Sequence, residues 1–413
     1  MKPLPALPAA LIALLLSAAP GYAENSRYAS EPWSPQIVRE PHRLVNHEVP
    51  VEPPSVVAPA PAPPGRPVAL PVADSVAQDA AAPAPPGSAG GHSAAAAGNT
   101  CGAGNGDCCN DCDPFWVHRN SVFFEFLYMR ARDAEVAYAV PIDGPIVPGA
   151  PPIQVGRTGV VDPDYEPAFR LGFALALDDC GSLVTTYTHF ESNTNDTMSI
   201  APPDVIRSLV MHPASINAAT DVLDASAGYG VDFQTLDIDM RRIWFSGDDY
   251  AVNYLVGLRY AHLDQDFHSE FSNLGISTVD TNIQFDGGGL RIGLDGEKRT
   301  CAGLILFARG AASFVAGDFE ASYHQFDAVS FFDVDSSWEA GRVVTMLDFE
   351  AGIGWSSYDD RLRLTLSYVM SGWHNVVKVE DYIDRVRTNN FIDLGKDEIL
   401  SFDGVASRVE WRW

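Results

Sequence analysis

The chain has 413 residues, 46% of them hydrophobic, enough for a large core or a closed barrel. Its formal net charge of −27 argues against nucleic acid, whose phosphates need Lys and Arg, and favours cations, basic partners or plain solubility. After the first residues no segment reaches the length and hydropathy of a membrane-spanning helix.

Residues 1–23 read as a secretory signal, with one early cation (Lys2), an apolar run from Ala9 to Ala19, and a small-residue exit at Gly21-Tyr22-Ala23. No Cys follows this exit, which argues against a lipid anchor there. Residues 24–100 hold about half of the chain's prolines among Ala, Gly and Val, as in "VEPPSVVAPAPAPPGRPVALP". Proline lacks the amide donor and fixes φ, so an extended or disordered periplasmic arm is expected.

Residues 101–114 close the arm with "CGAGNGDCCNDC", carrying Cys101, Cys108, Cys109 and Cys112. The two-residue gap between Cys109 and Cys112 suits a thiolate metal site. A disulfide-stapled knot is the preferred reading, because exported thiols oxidise. Cys180 and Cys301 stand apart, each in or beside a short turn, and are candidates to bond with each other or with the knot. Neither a metal nor any other cofactor is expected.

From residue 115 on the chain becomes aromatic-rich, punctuated by Gly and strongly alternating. Ten strand-like segments follow, at about 121–132, 168–177, 182–192, 231–245, 250–263, 281–294, 302–314, 344–357, 361–370 and 403–413. The links "DDCG", "SGDD", "DGEKRTC" and "YDD" are tight and polar. They alternate with long links at about 133–167, 193–230, 264–280, 315–343 and 371–402. Outer-membrane barrels have this asymmetry, with short periplasmic turns, longer external loops and strands of about 9–11 residues. The expected fold is all-β: a transmembrane antiparallel barrel of about ten strands over residues 115–413, monomeric or oligomeric.

The faces agree. Leu362, Leu364, Leu366 and Tyr368 alternate with Arg361, Arg363, Thr365 and Ser367, because successive side chains of a strand point to opposite sides. Tyr128, Tyr187, Trp244, Tyr260, Trp355 and Trp411 lie where interfacial girdles form. Gly287-Gly288-Gly289 is expected to break parity at a bulge or sharp bend. The segment at 182–192 has no clear parity. By parity the lumen receives Glu125, Arg170, Asp237, Asp239, Arg241, Arg259, Arg291, Arg309, Asp348, Glu350, Arg363, Arg408, Glu410 and Arg412. Both signs are present, so cross-strand pairing can fill a narrow interior or form a selectivity ladder. Asp133, Glu135, Asp162, Asp164, Glu166, Asp264, Asp266, Glu270, Asp318, Glu320, Asp333 and Asp335 are assigned to acidic external loops.

The terminal "VASRVEWRW" sets Val405, Val409, Trp411 and Trp413 on one side, with Ser407, against Ala406, Arg408, Glu410 and Arg412. That is a closing strand with an aromatic end.

The run "FFEFLYMRARDAEVAYA", then "DPDYEPAFRLGFALALDDCGSLVTTYTHF", resembles the Legionella-type major outer-membrane protein family. Leu127-Tyr128-Met129-Arg130 and Phe169-Arg170-Leu171-Gly172 fill the family's places, with Met129 where Trp is expected. The resemblance covers about 120–413; the Pro-rich arm and Cys knot look like those of planctomycete-like variants. It implies a pore-forming barrel in the outer membrane, in contact with its lipid. It also implies that the aromatic end, with Val405, Val409, Trp411 and Trp413, is read by the outer-membrane assembly machinery.

Three functions follow in order. The first is a pore for small solutes or ions. The second is a non-conducting anchor whose arm reaches the cell wall or periplasmic proteins. The third, a rim protease of the omptin kind, would use His189, His262, Asp264, Asp266 and His268, but the parity of His262 and Asp264 sets them with the lipid-facing residues. The expected answer is that the chain is not an enzyme.

Overall fold

Exposed and buried side chains alternate along the first strand, much of the last and most of the long strands between them. The computed structural model describes residues 114–145, 151–215, 222–272, 275–300, 303–328, 331–396 and 398–413. The signal, the arm, Cys101, Cys108, Cys109, Cys112 and Cys301 lie outside the described residues, while Cys180 sits in the turn after Asp178.

In chain order the elements are β1 Ser121–Arg132, β2 Val136–Ile142, β3 Gly159–Val161, β4 Glu166–Asp178, β5 Gly181–Ser199, β6 Val205–Ser208, β7 Asp224–Ser246, β8 Tyr250–Ser272, β9 Ile276–Arg299, β10 Leu304–Asp327, β11 Phe332–Ser356, β12 Leu362–His374, helix α1 Val379–Thr388 and β13 Ile399–Arg412. Strands β1, β13, β12, β11, β10, β9, β8, β7, β5 and β4 form a closed antiparallel barrel of ten strands, and β3, β2 and β6 form a separate small sheet. The first and last strands close it on each other, from Ser121 opposite Arg412 to Arg132 opposite Ser401.

Two expectations about the long links change. Most of residues 264–280 and 315–343 is strand: β8 and β9 take up 264–272 and 276–280, and β10 and β11 take up 315–327 and 332–343, paired residue by residue. These strands have 23, 24, 24 and 25 residues, more than twice the 9–11 that cross a bilayer. The barrel therefore rises well beyond the membrane on the long-link side. Asp264, Asp266, Glu270, Asp318, Glu320, Asp333 and Asp335 accordingly lie on strands and not in loops.

Along β8 the outward positions explain why one strand can do this. Tyr250, Val252, Tyr254, Val256, Leu258 and Tyr260 face outward, and then His262, Asp264, Asp266, His268 and Glu270 continue the same face. The inward face changes in the opposite sense, from Asn253 and Arg259 to Leu263, Phe267 and Phe271. A wall touching hydrocarbon must be apolar outside, whereas a wall touching water must be apolar inside. The two environments put the greasy stripe on opposite parities of one strand.

The glycine triplet is not a bulge. Pairing of β9 with β8 and β10 runs unbroken through Gly287, Gly288 and Gly289. Close backbone approach explains the composition, since a Cβ on Gly289 would fall 1.9 Å from the Phe314 carbonyl oxygen and one on Gly317 would fall 2.1 Å from that of Asp286. Gly289→Ala should lower stability by about 1–3 kcal/mol, read as a lower heat-modification temperature in SDS. An unchanged temperature contradicts this packing. The segment without clear parity is oriented by its register: Ser182, Thr186, Thr188 and Phe190 point inward.

The long-link end is filled. Helix α1 buries Val379, Tyr382, Ile383 and Val386, an i, i+3, i+4, i+7 stripe, in the same apolar cluster as the barrel interior. Acidic residues in its first turn and basic ones in its last match the helix dipole. The Tyr382 hydroxyl donates to the carbonyl oxygens of Ala321 and Ser336, each at 3.2 Å. The small sheet contributes Val136, Tyr138, Val161 and Ile206 to this cluster.

Candidate functional site: a charged chamber between two seals

Where the outward face is apolar, the inward face is ionic. Arg259 grips Asp237 with two hydrogen bonds of 2.6 and 2.7 Å and reaches Asp348 at 2.7 Å. Arg291 meets Asp348 at 2.5 Å and Asp239 at 3.3 Å. Across the bore, Glu125 is fully buried between Arg170, at 2.7 Å, and Arg408. Glu350 lies 3.5 Å from Arg170 and 3.6 Å from Arg309, and accepts a 2.9 Å hydrogen bond from Ser367. Toward the short turns, Arg363 pairs with Glu297 at 2.7 Å, and Arg412 lies 3.8 Å from Glu410.

All the residues assigned to the lumen by parity project into this bore. Several partners escaped sequence reading. Asp295 holds Arg241 at 2.5 Å, and Asp360, in the turn before β12, takes Arg412 at 2.6 Å and also Arg299. Asp295 and Glu297 share the parity of Arg291, so alternation extended to the end of β9 would have found them. Asp360 sits in a turn, where parity gives no signal.

The network lines a cavity of about 180 Å³. Opposite charges on adjacent strands let buried ions satisfy one another, which burial otherwise makes costly. Ten strands leave room for little more than their own side chains.

Two structures bound the chamber. On the long-link side Phe233, Trp373, Phe402 and Phe190 form one ring cluster, with centroids 4.5 Å apart for Phe233–Phe402 and 5.5 Å for Phe233–Trp373. Phe233 and Trp373 line the chamber itself. The seal has no signal among the strand-like segments, since 361–370 stops short of Trp373 and Phe233 looks like any other aromatic of 231–245.

On the short-turn side the segment 114–120 lies across the mouth. The Trp413 amide donates to the Asn120 carbonyl oxygen (2.9 Å), and the Arg299 guanidinium stacks over Phe115 at 5.6 Å. His118, before β1, pins it: its amide donates to the Asp179 carbonyl oxygen, its Nε2 to Asn253 Oδ1 at 3.2 Å, and its Nδ1 accepts from the Ser182 hydroxyl at 2.7 Å. Asn253 Oδ1 can only accept, so Nε2 carries a proton, and with the ring neutral Nδ1 is left to accept from Ser182.

Burial first, and then the Arg241 guanidinium, push the His118 imidazole down to about 4. A pinned ring below its free value makes the pinned state strongest above pH 6.5; the contribution is lost as pH falls from 6.5 toward 4. At pH 5 the loss is roughly 2 kcal/mol. A spin label at position 116 should gain mobility over that interval. The gain should vanish in His118→Gln, which cannot titrate; equal responses in both proteins contradict the pin.

The remaining candidates are on the outer wall. Val405, Val409, Trp411 and Trp413 face outward on or beside β13, and Tyr128, Tyr260, Trp244 and Trp355 are outward too. His262 lies 3.0 Å from Asp286 and His268 lies 2.6 Å from Asp280, each across a strand pair; Asp264 and Asp266 share Asn282.

Among solved structures, the outer membrane protease OmpT from Escherichia coli is 7% identical, with 71% of this chain and 97% of that chain covered and a TM-score of 0.40. A Pseudomonas aeruginosa FadL homologue is 8% identical, covering 72% and 90%, with a TM-score of 0.20. The toluene transporter TodX of P. putida is 8% identical, covering 71% and 90%, with a TM-score of 0.23. Likeness at this level says nothing of substrate or activity. No curated protein matches the chain. The family model described as the Legionella pneumophila major outer membrane protein precursor matches residues 114–411, all of the barrel but its last strand residue. The chain therefore belongs to the Legionella major outer membrane protein family, and its barrel is an outer-membrane β-barrel.

Proposed function

We propose that the barrel is a gated pore for small ions, at rest in the closed state. The observation that carries this reading is the chamber of about 180 Å³ lined by paired charges of both signs, between the aromatic cluster and the segment 114–120. A lumen that served only to be filled could be filled with apolar side chains. An ionic lining offers successive sites for an ion that has shed part of its hydration shell. Conduction then requires both seals to move, and the neutral His118 pin makes the short-turn seal the one that responds to acid.

Planar-bilayer recording of the full chain tests the reading. Brief small steps are expected from the wild type, and long-lived ohmic steps from Trp373→Ala/Phe402→Ala. Glu350→Gln should shift the opened variant's ion selectivity toward anions. Silence of every variant at every voltage removes the pore.

The second reading is a non-conducting anchor. The ring cluster and α1 favour it, because together they pack the long-link end with apolar side chains. In that reading residues 24–100 reach toward the cell wall or a periplasmic protein, and the outward aromatic end of β13 serves recognition by the assembly machinery. Pull-down of peptidoglycan by the full chain, lost when residues 24–100 are deleted, would support it.

A further inference from the structure

Beyond the apolar belt, the outer wall of β5, β7, β8, β9, β10 and β11 carries Asp, Glu and four histidines and, among the described residues, no outward Lys or Arg. On one line across this wall Glu191 is directly opposite Asp232, and Asp232 is directly opposite Asp264. Like charges at opposed positions of an antiparallel pair repel. An arrangement that sets three in a row without a cationic side chain leaves a place for a cation from solution.

One end of the line has the donors to hold it. His189 projects from the same face of β5 as Glu191, two residues away. Ligand atoms of His189, Glu191 and Asp232 all lie within 4.8 Å of one another. His189 Nδ1 and Asp232 Oδ1 are 3.8 Å apart, too far for a hydrogen bond. Both atoms are shielded from water, and neither has a hydrogen-bond partner. Shielded polar atoms are normally satisfied, so an orphaned donor–acceptor pair calls for a missing partner. Two ligands of one tetrahedral ion with bonds of about 2.1 Å stand about 3.4 Å apart, close to the spacing found. Phe169 packs edge-on against the His189 ring, centroids 5.3 Å apart, which fixes the ring plane.

We infer that His189, Glu191 and Asp232 form a binding site for a divalent first-row transition metal on the outer wall, immediately beyond the apolar belt. Imidazole with two carboxylates suits zinc-like ions over calcium or magnesium, which take oxygen alone. Asp264 lies next to the site and adds negative potential without being needed as a ligand. The set His324, Asp333 and Asp335 has similar donors, but all three are exposed, and the inference does not use them. It is also independent of whether the lumen conducts.

The test is Zn²⁺ binding to the full oxidised chain in detergent, by calorimetry, for wild type, Asp232→Asn and His189→Gln. Both substitutions conserve shape, and a heat-modifiable band in SDS verifies that each barrel is folded. Each should weaken one Zn²⁺ site by at least ~10–100-fold, the range lost even when an outer-shell partner is removed. Co²⁺ added to the wild type should give visible bands of a low-symmetry nitrogen–oxygen site, absent from both variants. Equal Zn²⁺ titrations for wild type and His189→Gln overturn the inference. So does Ca²⁺ displacing Zn²⁺ at equal concentration, since that identifies an oxygen-only cation site.

Discussion

Arg259→Met should destabilise the barrel by about 3–5 kcal/mol, the largest single effect expected in the chamber. Arg259 is buried, and its guanidinium carries both hydrogen bonds to Asp237 and the contact with Asp348. Met fills much of the same volume, so the loss is electrostatic. Arg291 remains 3.7 Å from Asp237 and cannot reproduce the two-pronged grip. The pair itself need contribute little, because two charges removed from water must first recover their desolvation. Hence Arg259→Met/Asp237→Leu, which removes both charges, should regain most of what the single substitution loses. Reversible urea titration in lipid vesicles measures both. A single variant as stable as wild type would mean that water already screens the network.

Trp373→Ala should cost about 3–5 kcal/mol and weaken the long-link seal. The side chain is among the largest fully buried ones, and its ring meets both Phe233 and Phe402. Its indole N–H donates to the Ser371 hydroxyl at 3.0 Å, and that hydroxyl donates to Asp348 at 2.7 Å. The ring therefore joins the apolar seal to the ionic chamber, and its removal should loosen both. Trp373→Phe keeps most of the contact area and should lose less than half as much. Equal losses for Ala and Phe would place the energy in the hydrogen bond and not in the packing.

The sequence made the membrane part of this architecture readable. Val405, Val409 and Trp411 against Arg408, Glu410 and Arg412 state both faces of β13 outright. The ionic residues on the strands, from Glu125 to Arg412, follow from parity; Asp360, in a turn, does not. The protruding part was unreadable for a physical reason. On β8 the apolar stripe runs through Tyr254, Val256 and Leu258 and then moves to Leu263, Phe267 and Phe271. A change of parity inside an uninterrupted strand looks like the end of the strand when a single apolar face is sought. Asp264 and Asp266 completed the impression of a loop. The glycine triplet misled in the opposite direction: it signals close strands, and its neighbours keep their register. The third segment, 182–192, hides its orientation because Thr and Tyr suit both faces. The orphaned atoms of His189 and Asp232 belong to different strands, so no local spacing could unite them.

The central claim is that one set of strands crosses from hydrocarbon into water and turns its apolar side inward as it does so. Accessibility of a ketoxime spin label placed singly along positions 250–272 in reconstituted vesicles tests this most directly. Even positions up to 260 should be relaxed by oxygen, which concentrates in lipid. Even positions from 262 should be relaxed by a water-soluble nickel chelate, and odd positions from 261 by neither. Chelate access at odd positions from 261, or oxygen-dominated relaxation at 264 and 266, would contradict it.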